Sequence, residues 1–192
     1  MPVNREKLLS LEAYARERNA FRARVMEHKK RRSVALGEHV TLLFEDELTI
    51  RYQVQEMLRI ERIFEEEGIR GELEAYDPLV PDGTNWKATM LIEYPDPEER
   101  KRALALLKGI ERGVWVQVQG HERVHAIADE DLDRETQEKT SSVHFLRLEF
   151  DAAMRAALAR GAAVRIGVEH PHYRAGAELA PEVRAALCAD LR

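Results

Sequence analysis

The chain has 192 residues, of which 44% are hydrophobic and 34% charged, with a formal net charge of −5. That is enough chain for one domain with its own core, too apolar for a disordered polymer, and not basic enough for a general attraction to nucleic acid. No apolar run approaches the roughly 18 residues of a membrane span, and Cys188 is the only cysteine, which excludes an intramolecular disulfide, a CxxC motif and an iron–sulfur cluster ligated by this chain alone.

The opening residues, MPVNREKLLSLEAYARERN, carry charges where a signal peptide has an apolar stretch, so a cytoplasmic location is expected. Ser10 to Arg32 reads as one or two helices, with Leu11, Tyr14, Phe21, Val25 and Met26 as the apolar positions. Gly37 stops that pattern. His39 to Glu45 and Leu48 to Val54 both alternate, and the acidic tripeptide Glu45-Asp46-Glu47 between them reads as a hairpin turn.

Gln53 to Gly68 follows as a helix. At about 100° per residue, Val54, Met57, Ile60, Ile63 and Phe64 fall on one arc. Glu56 and Glu61 project within that arc, whereas Gln55, Arg59, Arg62 and Glu66 lie opposite. A carboxylate on an apolar face needs a cation, an imidazole, a metal or a ligand, because an unpaired buried charge is too costly. An internal salt bridge is the simplest way to meet that need.

Tyr76 to Lys87 is rich in turn residues, and loops of this kind often carry function. Ala88 to Tyr94 is a strand. Asp96, Pro97, Glu98 and Glu99 announce a helix that ends near Gly109 or Gly113. Val114 to Gln119 and Glu122 to Ala128 form a hairpin about Gly120, and Asp129 to Ser141 reads as a polar loop or short helix. Strands at Ser142 to Phe150 and Val164 to His170 flank a helix capped by Asp151, and Pro181 opens a terminal helix that carries Cys188 as a small hydrophobe. The expected fold is α+β, with a largely antiparallel sheet of about six or seven strands and helices on one face. Residues 1–192 form a single domain, with residues 1–36 as an N-terminal helical arm and 37–192 as the α+β core.

Side chains alternate across a sheet, so His144 shares its face with Leu146 and Leu148, and His170 shares its face with Ile166 and Val168. Both point to the core. Together with Glu56 and Glu61 they make a Glu/Glu/His/His grouping suited to a divalent metal such as zinc, iron or manganese, with Glu61, His144 and His170 as ligands. The competing reading is that each is a satisfied core residue, and no ligands sit at a tight HExxH-type spacing. The run Lys29, Lys30, Arg31 and Arg32 is a candidate anion or RNA site, against the ordinary reading of a solvated helix face. No phosphate-loop, dinucleotide or GxSxG signature is present.

The segments KKRRSVALGEHVTLLFED, QVQEMLRIERIFEEEGI, ELEAYDPLVPDG, ATMLIEY, SSVHFLRLEF and VEHPHY, in that order along nearly the whole chain, resemble the bacterial family called domain of unknown function 3501. The resemblance implies a cytoplasmic single-domain protein and no particular activity. It implies an association with rubrerythrin-like proteins and iron–sulfur oxidoreductases, hence with oxidative stress or electron transfer. It also marks Lys30, Arg32, Gly37, Gln53, Gln55, Glu56, Arg59, Glu61, Pro81, His144, His170, Pro171 and Tyr173 as signature positions. Asp77 stands where the family pattern has asparagine.

Three functions follow as expectations. The first is a binding or accessory protein of a redox pathway with a polar pocket of Glu56, Glu61, Arg59, Gln53, Gln55 and Tyr173 around the two histidines. The second is an enzyme moving protons with the same groups. The third is a nucleic-acid or anionic-ligand binder working through residues 22–32, for which only weak, salt-sensitive RNA binding is expected.

Overall fold

The structure, a computed structural model, describes residues 3–130, 134, 136 and 138–192. Among them, six α-helices and nine strands form an α+β fold in which every strand pairing is antiparallel. The strands divide between two sheets. One has the order β1 (Ser33–Leu36), β2 (Val40–Phe44), β3 (Asn85–Ile92), β7 (Val143–Glu149), β6 (Ile127–Ala128). The other has the order β5 (Arg123–His125), β4 (Val114–Val118), β8 (Val164–His170), β9 (Tyr173–Glu178). Alternating residues of both sheets, among them Phe44, Trp86, Met90, Leu148, Val116 and Ile166, meet in the main core. Helices α4 (Pro97–Leu106), α5 (Ala152–Ala159) and α6 (Pro181–Cys188) also send side chains into it. A second, smaller core lies in a helical layer of α1 (Leu11–Lys30), α2 (Glu47–Glu61) and α3 (Glu66–Tyr76), built on Ile50, Val54, Leu58, Ile69 and Leu73. No helix among the described residues is long and apolar enough to cross a membrane.

Local signals predict several elements well. Asp96 and Asp151 each accept a backbone N–H at the start of α4 and α5, as their positions require. Two regions differ from expectation. The expected hairpin across Glu45–Glu47 is instead β1 and β2 turning at Gly37, whose φ of +74° suits glycine. Asp46 is the N-cap of α2. It accepts from Thr49 N–H while Thr49 Oγ1 accepts from Asp46 N–H, so Leu48–Val54 is helix rather than strand. That helix starts earlier than expected and ends at Glu61, with Arg62 as its C-cap in left-handed conformation. Its buried stripe is Ile50, Val54 and Leu58, and Ile60 and Phe64 are exposed. The segment Asp129 to Ser141 lies partly outside the described residues.

Arg32, expected among exposed basic residues, is 2% exposed. Nε donates to the Phe44 carbonyl at 3.0 Å and a terminal nitrogen to the Glu45 carbonyl at 3.0 Å. The guanidinium also reaches the Ala186 carbonyl at 3.3 Å and Asp46 at 3.4 Å, and pairs with Asp190. One side chain therefore ties the end of α1 to β2, to the cap of α2 and to the C-terminal helix. Arg32→Met leaves Asp190 and the Phe44, Glu45 and Ala186 carbonyls without this donor, and Asp46 with only Thr49 N–H and His28. We expect it to cost about 3–5 kcal/mol in urea denaturation, and Asp190→Asn to cost clearly less because the carbonyl contacts survive.

Candidate functional site

The groups picked from the sequence lie apart, and the buried ones are satisfied by the protein's own donors and acceptors. Glu61 is exposed, contrary to the expectation of burial, because the buried stripe of α2 runs through Leu58 and the helix ends at Glu61 itself. Glu56 is held by Tyr14 Oη at 2.7 Å, by Arg18 through two nitrogens at 2.8 Å, and by Arg59 at 3.2 and 3.3 Å. Gln55 is buried and pairs with both the N–H and carbonyl of Leu9 at 3.0 Å, whereas Gln53 is exposed. Tyr173 Oη donates to the Leu36 carbonyl at 2.6 Å and accepts from His39 N–H at 3.1 Å, closing the Gly37 turn onto β9.

His144 is buried, as its strand phase requires. Nδ1 donates to Asp129 at 2.5 Å, and Nε2 lies 3.0 Å from both Thr140 Oγ1 and the Ser141 carbonyl. The order Thr140, His144, Asp129 is that of a hydroxyl–imidazole–carboxylate relay. His144 and Thr140 are each only 1% exposed, however, and the group fastens Asp129, Thr140 and Ser141 to β7. His170 accepts from His172 N–H at Nδ1 (3.3 Å), which leaves Nε2–H to donate to the Lys108 carbonyl at 3.0 Å. Glu61, His144 and His170 thus share no pocket, and no group of three or more His, Cys, Asp or Glu among the described residues is placed to hold a metal. The donor set does not fit a metal site.

The basic run is also dispersed. Lys30 pairs with Glu27 at 2.6 Å, Lys29 lies 5.9 Å above the Tyr52 ring, Arg31 is exposed and Arg32 is internal.

What the fold does build is a cleft of about 520 Å³ between the helical layer and the outer face of the β3–β7 sheet. Met57 of α2, Glu72 and Tyr76 of α3, and Pro78 and Leu79 of the following turn form one wall. Lys87 on β3 and Phe145 and Arg147 on β7 form the other, with Glu130 and Arg134 at the edge. A second hollow shares Lys87, Glu130 and Arg147 and extends toward Asp82 and Glu149. A volume of this size suits a small-molecule ligand.

The electrostatics of the floor are unusual. Lys87 and Arg147 are direct cross-strand partners, and like charges in that position repel. Arg147 is neutralised from two sides. It binds Glu130 bidentately at 2.7 Å and also pairs with Glu149, which keeps it firmly protonated. Glu149 in turn accepts from Asn85 at 3.0 Å. Lys87 is half-buried, and among the described residues its ammonium has no hydrogen bond or ion pair. Burial first, and Arg147 second, push the Lys87 amine below the usual lysine range. Elsewhere in the same cleft, on α3, Glu72 has no direct partner either, and burial and nearby Glu61 raise its carboxyl. Glu61 is therefore a rim charge acting on the cleft.

The phase rule that singles out His144 also puts Lys87 and Arg147 on the other face of the same strands. What a sequence does not display is the register that sets them opposite one another, or the helices that roof them.

A family model described as "Protein of unknown function (DUF3501)" matches residues 2–191. The chain belongs to this family. A crystal structure at 1.90 Å described as a novel protein of unknown function from Burkholderia pseudomallei K96243 is similar over 100% of both chains, with 56% sequence identity and a TM-score of 0.95. No curated protein matches the chain.

The Glu56 cluster yields a pH prediction. Arg18 first, then Tyr14 and Arg59, hold the Glu56 carboxyl down at about 2, against an ordinary 4.5. A depressed carboxyl stabilises the fold above its unfolded value, and that contribution is lost as pH falls from 4.5 toward 2. Glu56→Gln should lower stability at neutral pH and flatten the loss of stability across that acid window. Urea denaturation at a series of pH values checks both.

Proposed function

We propose that this protein binds a small molecule in the cleft between the helical layer and the sheet, with Lys87 as the recognition group. The observation that carries this reading is a half-buried ammonium with no hydrogen bond or ion pair among the described residues, only the longer-range pull of Glu130, Asp82 and Glu149, facing a cavity of about 520 Å³. A charge left without a partner in a desolvated position is normally eliminated or paired. Here four carboxylates stand nearby, and each is engaged by another donor: Glu130 and Glu149 by Arg147, Asp82 by Thr84 and Asn85, and Glu45 by Thr89. A ligand oxygen, anionic or carbonyl, completes the arrangement. Met57, Tyr76, Leu79 and Phe145 favour an apolar or aromatic body attached to that oxygen.

This keeps the expected class, a binding protein, and moves its site from the Glu/His grouping to the sheet face. A place in an oxidative-stress or electron-transfer pathway, beside rubrerythrin-like or iron–sulfur proteins, rests on the family resemblance alone and bears on where such a ligand is made or used. Binding of nucleic acid through residues 22–32 is the weaker reading, since Arg32 is internal and Lys30 is paired.

Benzoate is a minimal probe, having one aromatic ring and one carboxylate. Titrated into the ¹⁵N-labelled protein, it should give saturable shifts centred on Lys87, Phe145 and Tyr76, and Lys87→Met should keep the fold and lose them. Shifts confined to other surfaces, or none, contradict the proposal.

A further inference from the structure

Two titratable groups of the cleft, Lys87 on β3 and Glu72 on α3, have no direct partner among the described residues. The charged groups around Lys87 come from every element packed near it. Arg147 and Glu149 are on β7, Glu130 follows β6, Asp82 precedes β3, Glu45 follows β2, and Glu72 and Arg134 line the cleft. A lysine present only for charge balance would be expected to take one of those carboxylates as its partner. Instead Arg147 takes Glu130 and Glu149, and Lys87 is left desolvated beside a permanent cation. Burial and Arg147 both favour the neutral amine, whose lone pair can attack, and together they outweigh the opposing pull of Glu130, Asp82 and Glu149.

Accepting the cleft as a ligand site, we infer that Lys87 forms a Schiff base with the carbonyl carbon of an aldehyde or ketone bound there. The Lys87 Nζ lone pair forms the C–N bond while the C=O π pair moves to oxygen. That oxygen takes up a proton and the nitrogen releases one, which gives a neutral carbinolamine. The C–O bond then breaks as the hydroxyl takes a second proton and leaves as water, and the nitrogen lone pair closes the C=N bond. No oxidant or reductant is needed. Both protons exchange with solvent water at the mouth of the cleft. The apolar wall of Met57, Leu79 and Phe145 limits the water that would hydrolyse the imine.

Benzaldehyde, the neutral aldehyde with the same ring as benzoate, tests this directly. The protein is incubated at neutral pH with limiting benzaldehyde and sodium cyanoborohydride, which reduces an imine to a stable secondary amine. The adduct is then located by peptide mass mapping. We expect the benzyl label at Lys87 to exceed several-fold that at any of the other six lysines, Lys7, Lys29, Lys30, Lys101, Lys108 and Lys139. Lys87→Met should lose this label and keep the slower surface labelling. If Lys87→Met does not fold, the map of the unmodified chain decides alone. Label spread over exposed lysines with no preference for Lys87 overturns the inference. If benzoate still shifts the cleft resonances in that case, only the covalent step fails; if benzoate does not bind either, the ligand-binding reading fails with it.

Discussion

The buried guanidinium of Arg32 is the interaction on which the relation between the two layers depends. It sits where the last turn of α1 meets β2, and it is held by two β2-end carbonyls, the N-cap carboxylate of α2, and Asp190 and a carbonyl near the end of α6. Few other groups connect the helical layer so directly to the sandwich. A buried arginine is tolerated only when its donors are satisfied and its charge is paired, and here its partners come from three places in the fold, the end of β2, the cap of α2 and the end of α6. The helices are thereby fixed at one end of the β2–β3–β7 face, and the gap left along the rest of that face is the cleft.

The outer face of this sheet is thus neither fully solvated nor fully packed. Its inner face needs Trp86, Ala88, Met90, Leu146 and Leu148 for the main core, and alternation then puts Lys87, Arg147 and Glu149 outward. A roof of helices over such a face raises the cost of every unpaired charge. Most are paired: Arg147 with Glu130 and Glu149, Glu45 with Thr89, and Asn85 with Asp82. Lys87 is the exception. The contrast with the Thr140–His144–Asp129 group is instructive, because that relay-like order of residues is complete, internally satisfied and closed to solvent, whereas the lysine is incomplete and open to a cavity.

How much of this was legible in the sequence depends on how local each signal is. Asp96-Pro97 and Asp151 mark helix starts through contacts within three residues, and the structure places both caps there. The phases of β3, β7 and β8 are equally local, and His144 is buried as its phase requires. Leu48 to Val54 was ambiguous in kind. Leu48, Ile50 and Tyr52 fit a two-residue repeat, whereas Ile50, Val54 and Leu58 fit a helical one, and only the Asp46–Thr49 capping box separates them. The buried face of α2 departs from its periodicity for a different reason. Apolar residues ring much of that helix, and packing against α1 and α3 selects Leu58 over Ile60. With that face goes Glu61, and with Glu61 the Glu/His pocket. Arg32 is indistinguishable by composition from Lys30 and Arg31; its burial follows from its place just past the end of α1, facing residues more than 150 positions later in the chain. The cleft was hidden for the same reason, since cross-strand register and the helical roof are both long-range.

The account rests on the state of one amine, and that state is measurable without any ligand. Lysine selectively labelled at Cε can be titrated by NMR, with Lys87 assigned through a Lys87→Arg comparison. The desolvated position beside Arg147 requires Lys87 to lose its proton at a lower pH than the other six lysines of the chain. A Lys87 resonance that titrates together with theirs, or at higher pH, would mean that the ammonium is solvated or ion-paired in solution, and would contradict the reading of the cleft as a site built around it.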